Sequence, residues 1–154
     1  MTGSQTPPLP GPLPNGERGY NAGCLCGAVR IAIAAEPMAA RMCWCRLCQY
    51  LGGGGATVNV CFPNAALHSE GEVRWHESVA DSGTRMRRGF CPACGTPLFS
   101  VAETRPHLVY VRAGALDDPN LIGPEAIIWT QAAPAWARHD PLLPQHPAQI
   151  PPVA

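Results

Sequence analysis

Residues 90–96 read Phe-Cys-Pro-Ala-Cys-Gly-Thr, a short stretch that carries the strongest local signal in the chain. Cys91 and Cys94 are separated by two residues and are predicted to sit on one tight turn. Gly95 follows directly, and a glycine there lets the backbone wrap towards a bound metal ion. The stretch therefore predicts a metal-binding knuckle that supplies two thiolates.

A second glycine-flanked pair of cysteines, Gly23-Cys-Leu-Cys-Gly27, stands near the start of the chain and precedes a predicted strand. Two such pairs together offer four sulfurs, which is the ligand set of a closed, tetrahedral zinc site. Such a site has no vacant position and commonly stabilises folding. We predict a structural zinc site on four residues: Cys24, Cys26, Cys91 and Cys94.

A third group, Cys43-Trp-Cys-Arg-Leu-Cys48, places three cysteines within six residues. Three thiolates can hold a metal ion and leave one coordination position open, and open zinc positions are where reactions occur. We predict a second, more labile zinc ion and the catalytic site here, on Cys43, Cys45 and Cys48. Cys61 is predicted to be a core or surface thiol instead of a fourth ligand.

Composition excludes several other classes of protein. Cysteines separated by a single residue are awkward to join by a disulfide, which argues against a disulfide scaffold although the chain has 8 cysteines. The formal net charge is zero and all basic residues are arginines, so nucleic acid is not expected as a partner. The start of the chain lacks a secretory pattern and no apolar run is long enough to span a membrane. These features predict a soluble, cytoplasmic protein.

The chain is predicted to form one domain, residues 20–138, between proline-rich tails at residues 1–19 and 139–154. Frequent glycine and proline leave little room for long helices, and alternating apolar residues indicate strands. The predicted fold is mainly β, a small zinc-stabilised β-sheet domain with few short helices. Strands are predicted at residues 29–33, 57–62, 73–76, 84–90, 97–101, 108–113 and 127–129.

Other candidate site residues have two readings each. Gly52–Gly55 could form the floor of a substrate loop or a flexible turn. Arginine side chains could bind carboxylates or lie on a solvated strand face. Trp129 and Trp136 could pack at the edge of the core, which we favour, or form a pocket wall. The arginines in question are Arg46, Arg85, Arg87 and Arg88, and none of the five histidines stands at ligand spacing from a cysteine group.

The order of these motifs resembles that of the glutathione-dependent formaldehyde-activating enzyme family, whose domain also occurs in centromere protein V. The resemblance runs from about Tyr20 to Trp136 and includes Gly114-x-Leu-Asp-Asp-Pro119 as well as seven cysteines in matching order. It implies a β-tent-like fold, a structural zinc on the outer cysteine pairs and a second zinc on the central three. It also implies the activity of a carbon-sulfur lyase, S-hydroxymethylglutathione synthase, with glutathione and formaldehyde as partners.

The chain departs from the family pattern at two positions where histidine is frequent, Trp44 and Ile127. Both changes remove a polar group near the predicted reaction site, and Trp44 could instead line a more apolar pocket that favours a different thiol or carbonyl compound. Two alternatives to an enzyme follow: a non-catalytic zinc scaffold that binds a protein partner, and a thiol redox or metal-buffering protein. The sequence predicts no particular oligomeric state.

Overall fold

The computed structural model describes residues 19–154, so the predicted N-terminal tail lies outside the described residues except for Gly19. The described part of the chain is mainly β, as predicted, with one short α-helix, α1 (Arg46–Leu51). In chain order its strands are β1 (Tyr20–Gly23), β2 (Arg30–Ile33), β3 (Ala39–Cys43), β4 (Thr57–Pro63), β5 (Leu67–Glu70), β6 (Arg74–Val79), β7 (Arg85–Phe90), β8 (Pro97–Ala102), β9 (Arg105–Arg112) and β10 (Ala126–Ile128). Single 3₁₀ turns lie at Asn64–Ala66, Ala113–Ala115 and Thr130–Ala132.

The strands form two sheets that share one core. The small sheet has the order β1-β2-β5, and the large sheet has the order β10-β3-β4-β9-β8-β7-β6. Neighbouring strands are antiparallel except β10, which runs parallel to β3. Apolar side chains of both sheets meet in the core, where the rings of Tyr20 and Phe62 lie 5.7 Å apart. Their removal from water is the main favourable contribution to folding.

Strand β4 shows how the sequence divides the large sheet into two faces. Val60 and Phe62 are fully buried in the core between the sheets. The alternate residues Thr57, Asn59 and Cys61 must face the other way, because side chains alternate along a strand. The predicted alternation in this strand is confirmed, and it leaves a row of polar residues on the outer face of the large sheet.

Three of the observed strands, β1, β3 and β5, were not predicted. Strand β3, with the sequence Ala-Ala-Arg-Met-Cys, has neither alternation nor β-branched residues. Its position is decided by pairing with β4 on one side and β10 on the other. Tertiary pairing of this kind commonly overrides a weak strand propensity.

The C-terminal segment, residues 141–154, packs against β10. The backbone N–H of Ile127 donates to the Pro144 carbonyl at 2.9 Å, and the N–H of His146 donates to the Ile127 carbonyl at 2.8 Å. These bonds form a parallel bridge between Ile127 and Gln145. The segment therefore extends the edge of the large sheet. Within residues 19–154, no helix has the length and apolar character needed to cross a membrane.

Candidate metal sites and binding pocket

The cysteines of the two outer pairs converge in space. Their four sulfur atoms all lie within 4.8 Å of one another, although the pairs come from distant parts of the chain. The closest sulfurs are those of Cys24 and Cys26, at 3.5 Å, and those of Cys26 and Cys91, at 3.8 Å. Such an arrangement of four sulfurs could hold a metal ion, and the four residues are Cys24, Cys26, Cys91 and Cys94.

In each knuckle a backbone hydrogen bond from the glycine closes the turn, over three residues at Cys24 and over four at Cys91. The N–H of Gly27 donates to the Cys24 carbonyl at 3.1 Å, and the N–H of Gly95 donates to the Cys91 carbonyl at 2.8 Å. Gly27 and Gly95 have φ angles of 80° and 75°, in the left-handed region that favours glycine. The glycines singled out in the sequence are therefore needed for the turns that bring the sulfurs together.

Hydrogen bonds prepare this group to bind a cation. The backbone N–H of Val29 donates to the Cys24 sulfur at 3.2 Å. The Thr96 hydroxyl lies 3.1 Å from the Cys94 sulfur and, as the largest effect, lowers the pKa of Cys94 to about 5. A cysteine with a lowered pKa is present as thiolate at neutral pH, and the thiolate is the form that binds metal.

The central cysteines form a second group. The sulfurs of Cys43, Cys45 and Cys48 lie within 4.8 Å of one another, and all three residues are buried. Cys43 ends β3, and Cys45 precedes α1, where its sulfur accepts a hydrogen bond from the Cys48 N–H at 3.4 Å. The strand end and the first turn of the helix together aim the three thiols at one point.

The three thiols of the central group differ in pKa. The thiols of Cys43 and Cys45 donate hydrogen bonds to Cys48 and hold its pKa well below the ordinary value, with smaller contributions from Thr57 and Arg112. The pKa of Cys43 is raised, first by its hydrogen bond to Cys45 and then by the one to Cys48. Cys48 is therefore the first of the three to ionise.

Arg112 provides a test of whether a metal ion suits this group. Its side chain is buried, with 8% exposure, and it forms no ion pair with a carboxylate of residues 19–154. A buried cation is costly without an anionic neighbour. Three thiolates on a divalent ion carry one net negative charge, which Arg112 would balance. The donor set and its surroundings fit a thiolate-bound metal ion.

A pocket opens beside the central group on the outer face of the large sheet. Cys43, Cys45 and Cys48 line one part of it, and the β6–β7 turn with Asp81 forms part of its rim. Ile128 and Trp129 contribute a wall after β10. The C-terminal segment completes that wall with Gln149, Pro152 and Val153.

Four arginines line this pocket, and sequence reasoning identified one of them. Strand alternation puts Arg88 on the pocket face of β7, whereas Arg85 and Arg87 lie on the opposite face and pair with Glu103 and Glu77 at 3.7 and 3.5 Å. The side chain of Arg46 lies over the Tyr50 ring, 4.9 Å from its centroid, and does not line the pocket. The pocket arginines are Arg41, Arg88, Arg105 and Arg112. Arg41 is distant in sequence from Arg105 and Arg112 of β9, so only the pairing of β3, β4 and β9 brings them to one pocket.

Cys61 and the glycine run have distinct positions. Cys61 is a buried residue that lines the same pocket without belonging to either cysteine group, and burial raises the pKa of its thiol. Gly52–Gly55 does not line the pocket and forms the turn after α1, with φ angles of 65° at Gly53 and 101° at Gly54.

Trp44 and Ile127 stand at the two positions where the sequence comparison led us to expect histidine, and both lie outside the pocket wall. Trp44 is buried, and its ring packs edge-on against Trp136 at 6.2 Å and His139 at 5.7 Å. Ile127 is fully buried. Neither residue lines the pocket, so the prediction that they change its lining is wrong. Trp136 is 63% exposed and lies at the edge of the core, where its ring meets the buried Trp44. Trp129 packs on the cluster of the central cysteines and Ile128 and also lines the pocket.

Comparison with known proteins agrees with the fold and the cysteine pattern. Residues 19–132 match the family model described as glutathione-dependent formaldehyde-activating enzyme. The crystal structure of a Rhodobacter sphaeroides protein is similar in fold, with a TM-score of 0.52 and 21% sequence identity over 68% of this chain and 91% of the other. No curated protein matches the sequence at a significant level.

Proposed function

Because the chain belongs to the glutathione-dependent formaldehyde-activating enzyme family, we propose that it combines the thiol of glutathione, or of a related small thiol, with formaldehyde or a related aldehyde. The product is an S-hydroxymethyl adduct, and the activity is that of a carbon-sulfur lyase. One observation carries the proposal: three buried thiols converge on one point in the wall of a pocket. A three-thiol site beside a pocket leaves room for a substrate sulfur or oxygen.

We propose zinc as the ion at both cysteine groups. The four-sulfur group of Cys24, Cys26, Cys91 and Cys94 would be the structural site, because four sulfurs fill a tetrahedral shell. The three-sulfur group of Cys43, Cys45 and Cys48 would be the catalytic site. When bound there, zinc would supply Lewis-acid chemistry that lowers the pKa of a thiol or polarises a carbonyl group.

The residues of the chain would then hold and orient the reactants. The substrate thiol loses its proton, and its sulfur attacks the aldehyde carbon to form the carbon-sulfur bond. The electron pair of the carbonyl π bond moves to oxygen, which takes up a proton from solvent. The buried guanidinium of Arg112 is close enough to the central cysteines to lower the pKa of Cys48, so its charge also favours the anionic substrate sulfur.

The reaction also proceeds without an enzyme, so the test is a difference in rate. Adduct formation from glutathione and formaldehyde is measured with wild type, with Cys45→Ala and without protein. We expect wild type to exceed the spontaneous rate and Cys45→Ala to fall to it. Equal rates for wild type and Cys45→Ala would exclude the proposed enzyme.

The same preparation distinguishes the two alternatives. A protein-binding scaffold would keep both zinc ions and give no adduct above the spontaneous rate. A redox protein would form a reversible disulfide among the central cysteines as zinc leaves, which mass spectrometry after alkylation detects.

A further inference from the structure

The pocket holds more positive charge than residues 19–154 balance. Four arginines line it, and Asp81 is the one carboxylate among its lining residues. The carboxylate of Asp81 accepts a hydrogen bond from the backbone N–H of Arg46 at 3.1 Å. The ion pairs formed within residues 19–154 include none of the pocket arginines.

Two of the four arginines have partners of their own. Arg112 lines the pocket together with the central cysteines, and the net negative charge of a metal-bound site there would balance its charge. Arg88 donates a hydrogen bond to the Ser78 hydroxyl. Arg41 and Arg105 remain, and each lines the pocket without a carboxylate partner in the described part of the chain.

The sheet register fixes where Arg41 stands relative to the reactive group. Arg41 is the cross-strand partner of Asn59, and Asn59 is the partner of Arg112, so the three form a row across β3, β4 and β9. Cys43 lies two residues further along β3 on the same face, a separation of roughly 7 Å between Cα atoms. A small molecule in the pocket can therefore contact Arg41 while its thiol reaches the central cysteines.

Arg105 reaches the same end of the pocket from β9. The charges of Arg41 and Arg105 both act on the thiol of Cys61, where they oppose the larger effect of burial on its pKa. Cys61 follows Asn59 by two residues on the pocket face of β4. Both guanidinium groups therefore lie near Cys61. On the pocket face, Cys61 is one row further from Cys43 than Arg41 and Asn59 are.

Unpaired polar atoms mark the same surface. The side-chain oxygen of Asn59 and the Nε atoms of Arg105 and Arg112 are buried and have no hydrogen-bond partner. Buried polar atoms in folded proteins are nearly always paired. Of the six side-chain atoms within residues 19–154 that break this rule, three lie in the pocket, where a polar ligand would pair them. A planar guanidinium is suited to a carboxylate, to which it can donate two hydrogen bonds.

We propose that Arg41 and Arg105 form a carboxylate-binding subsite, and that the thiol substrate is therefore an anionic one that carries at least one carboxylate. The subsite accounts for the excess positive charge of the pocket and for the buried polar atoms that have no hydrogen-bond partner. It also accounts for the position of Arg41 two residues from Cys43 on the same face of β3. It rests on the proposed function only in taking the bound molecule to be a thiol. Glutathione, which has two carboxylates, satisfies it, whereas a neutral thiol does not.

The test uses a ligand that cannot react. S-methylglutathione keeps both carboxylates and has no free thiol, so calorimetric titration into the zinc-loaded protein measures recognition apart from chemistry. We expect Arg41→Gln and Arg105→Gln each to weaken binding by at least about tenfold, because each removes a charge-assisted pair. The dimethyl ester of the same ligand should bind wild type at least about tenfold more weakly than the acid.

Two further variants make the result specific. Arg87→Gln removes an arginine from the opposite face of β7 and should bind like wild type. Arg41→Lys keeps the charge without the planar fork, so its affinity should lie between those of wild type and Arg41→Gln. A thermal melt of each variant in the absence of ligand shows that its fold is intact.

Several results would overturn the subsite: no binding of S-methylglutathione to wild type, equal binding of the ester, or wild-type affinity in both glutamine variants. Failure of the subsite is distinguishable from failure of the proposed function. Adduct formation above the spontaneous rate with unaltered binding in the variants would remove the subsite alone. Arginine-dependent binding without adduct formation would remove the enzyme alone.

Discussion

The backbone N–H of Leu25 donates a hydrogen bond to the hydroxyl of Thr96 at 3.1 Å, across 71 positions of the sequence. The same hydroxyl contacts the sulfur of Cys94 at 3.1 Å. One side chain therefore links the two cysteine knuckles and also lowers the pKa of a thiol in the four-sulfur group. The four-sulfur group is held together by the protein as well as by any ion it binds.

Replacement of this hydroxyl tests the link. Thr96→Val removes the acceptor of the Leu25 N–H at constant side-chain volume, so we expect the free energy of unfolding to fall by about 1–2 kcal/mol. Thr96→Ser keeps the hydroxyl and should lose less. Denaturant unfolding of the three proteins measures the difference, and equal stability of Thr96→Val and wild type would contradict the role given to this bond.

Loss of a sulfur from the four-cysteine group should have a far larger effect. Apparent binding free energies of structural zinc are about 10–16 kcal/mol, comparable with or above the whole stability of a domain. We expect Cys91→Ala to abolish soluble folding, as judged by yield and by the cooperativity of a thermal melt. Cys61→Ala is the matched control, because Cys61 is equally buried but belongs to neither group. A normal cooperative melt for Cys91→Ala would refute the structural site.

Gln49 holds the backbone next to the central cysteines in place. Its buried amide donates to the carbonyls of Trp44, at 2.7 Å, and Ala132, at 2.9 Å. We expect Gln49→Met to cost about 1–3 kcal/mol of unfolding free energy, because two carbonyls lose their donor. It should also speed zinc release from the central cysteines. Tyr50→Ala, at an exposed neighbour, is the control, and the expectation is wrong if both variants release zinc at the wild-type rate.

The C-terminal segment should protect the central group. Ile150 packs against the three cysteines, and the hydrogen bond from the Trp129 indole N–H to the Gln149 side chain, at 3.1 Å, holds the segment in place. We expect Ile150→Ala and truncation after Leu143 to raise the rate of zinc transfer to a chelator severalfold. Leu142→Ala, in the same segment but 89% exposed, should leave that rate unchanged. An unchanged rate in the truncated protein would show that the segment does not shield the site.

The cysteines could be predicted from the sequence because metal-binding knuckles are local. Residues within two or three positions of each other on a glycine-bounded turn are close in space whatever the rest of the chain does. The pairing of Cys24 and Cys26 with the knuckle at Cys91 needed only the assumption of four ligands. The strand alternation of β4 was likewise readable, since a period of two is a local property.

The pocket could not be predicted in the same way. Arg41 and Arg112 lie in one row because β3, β4 and β9 pair in a particular register, and β3 gave no strand signal at all. The cluster of adjacent arginines that the sequence does show is divided between the two faces of β7. Trp44 stands between two central cysteines in the sequence, yet the turn after β3 directs its ring away from the pocket.

We infer that the chain holds two unequal zinc sites and that chemistry occurs at the three-cysteine one. This is tested most directly by limited chelation of the wild-type protein, with zinc content, circular dichroism and adduct formation measured on each sample. We predict two zinc ions per chain at the start. The first ion removed should abolish adduct formation above the spontaneous rate while the fold is retained, and the second should unfold the protein. Retention of full activity after loss of the first ion, or unfolding with that loss, would contradict the account.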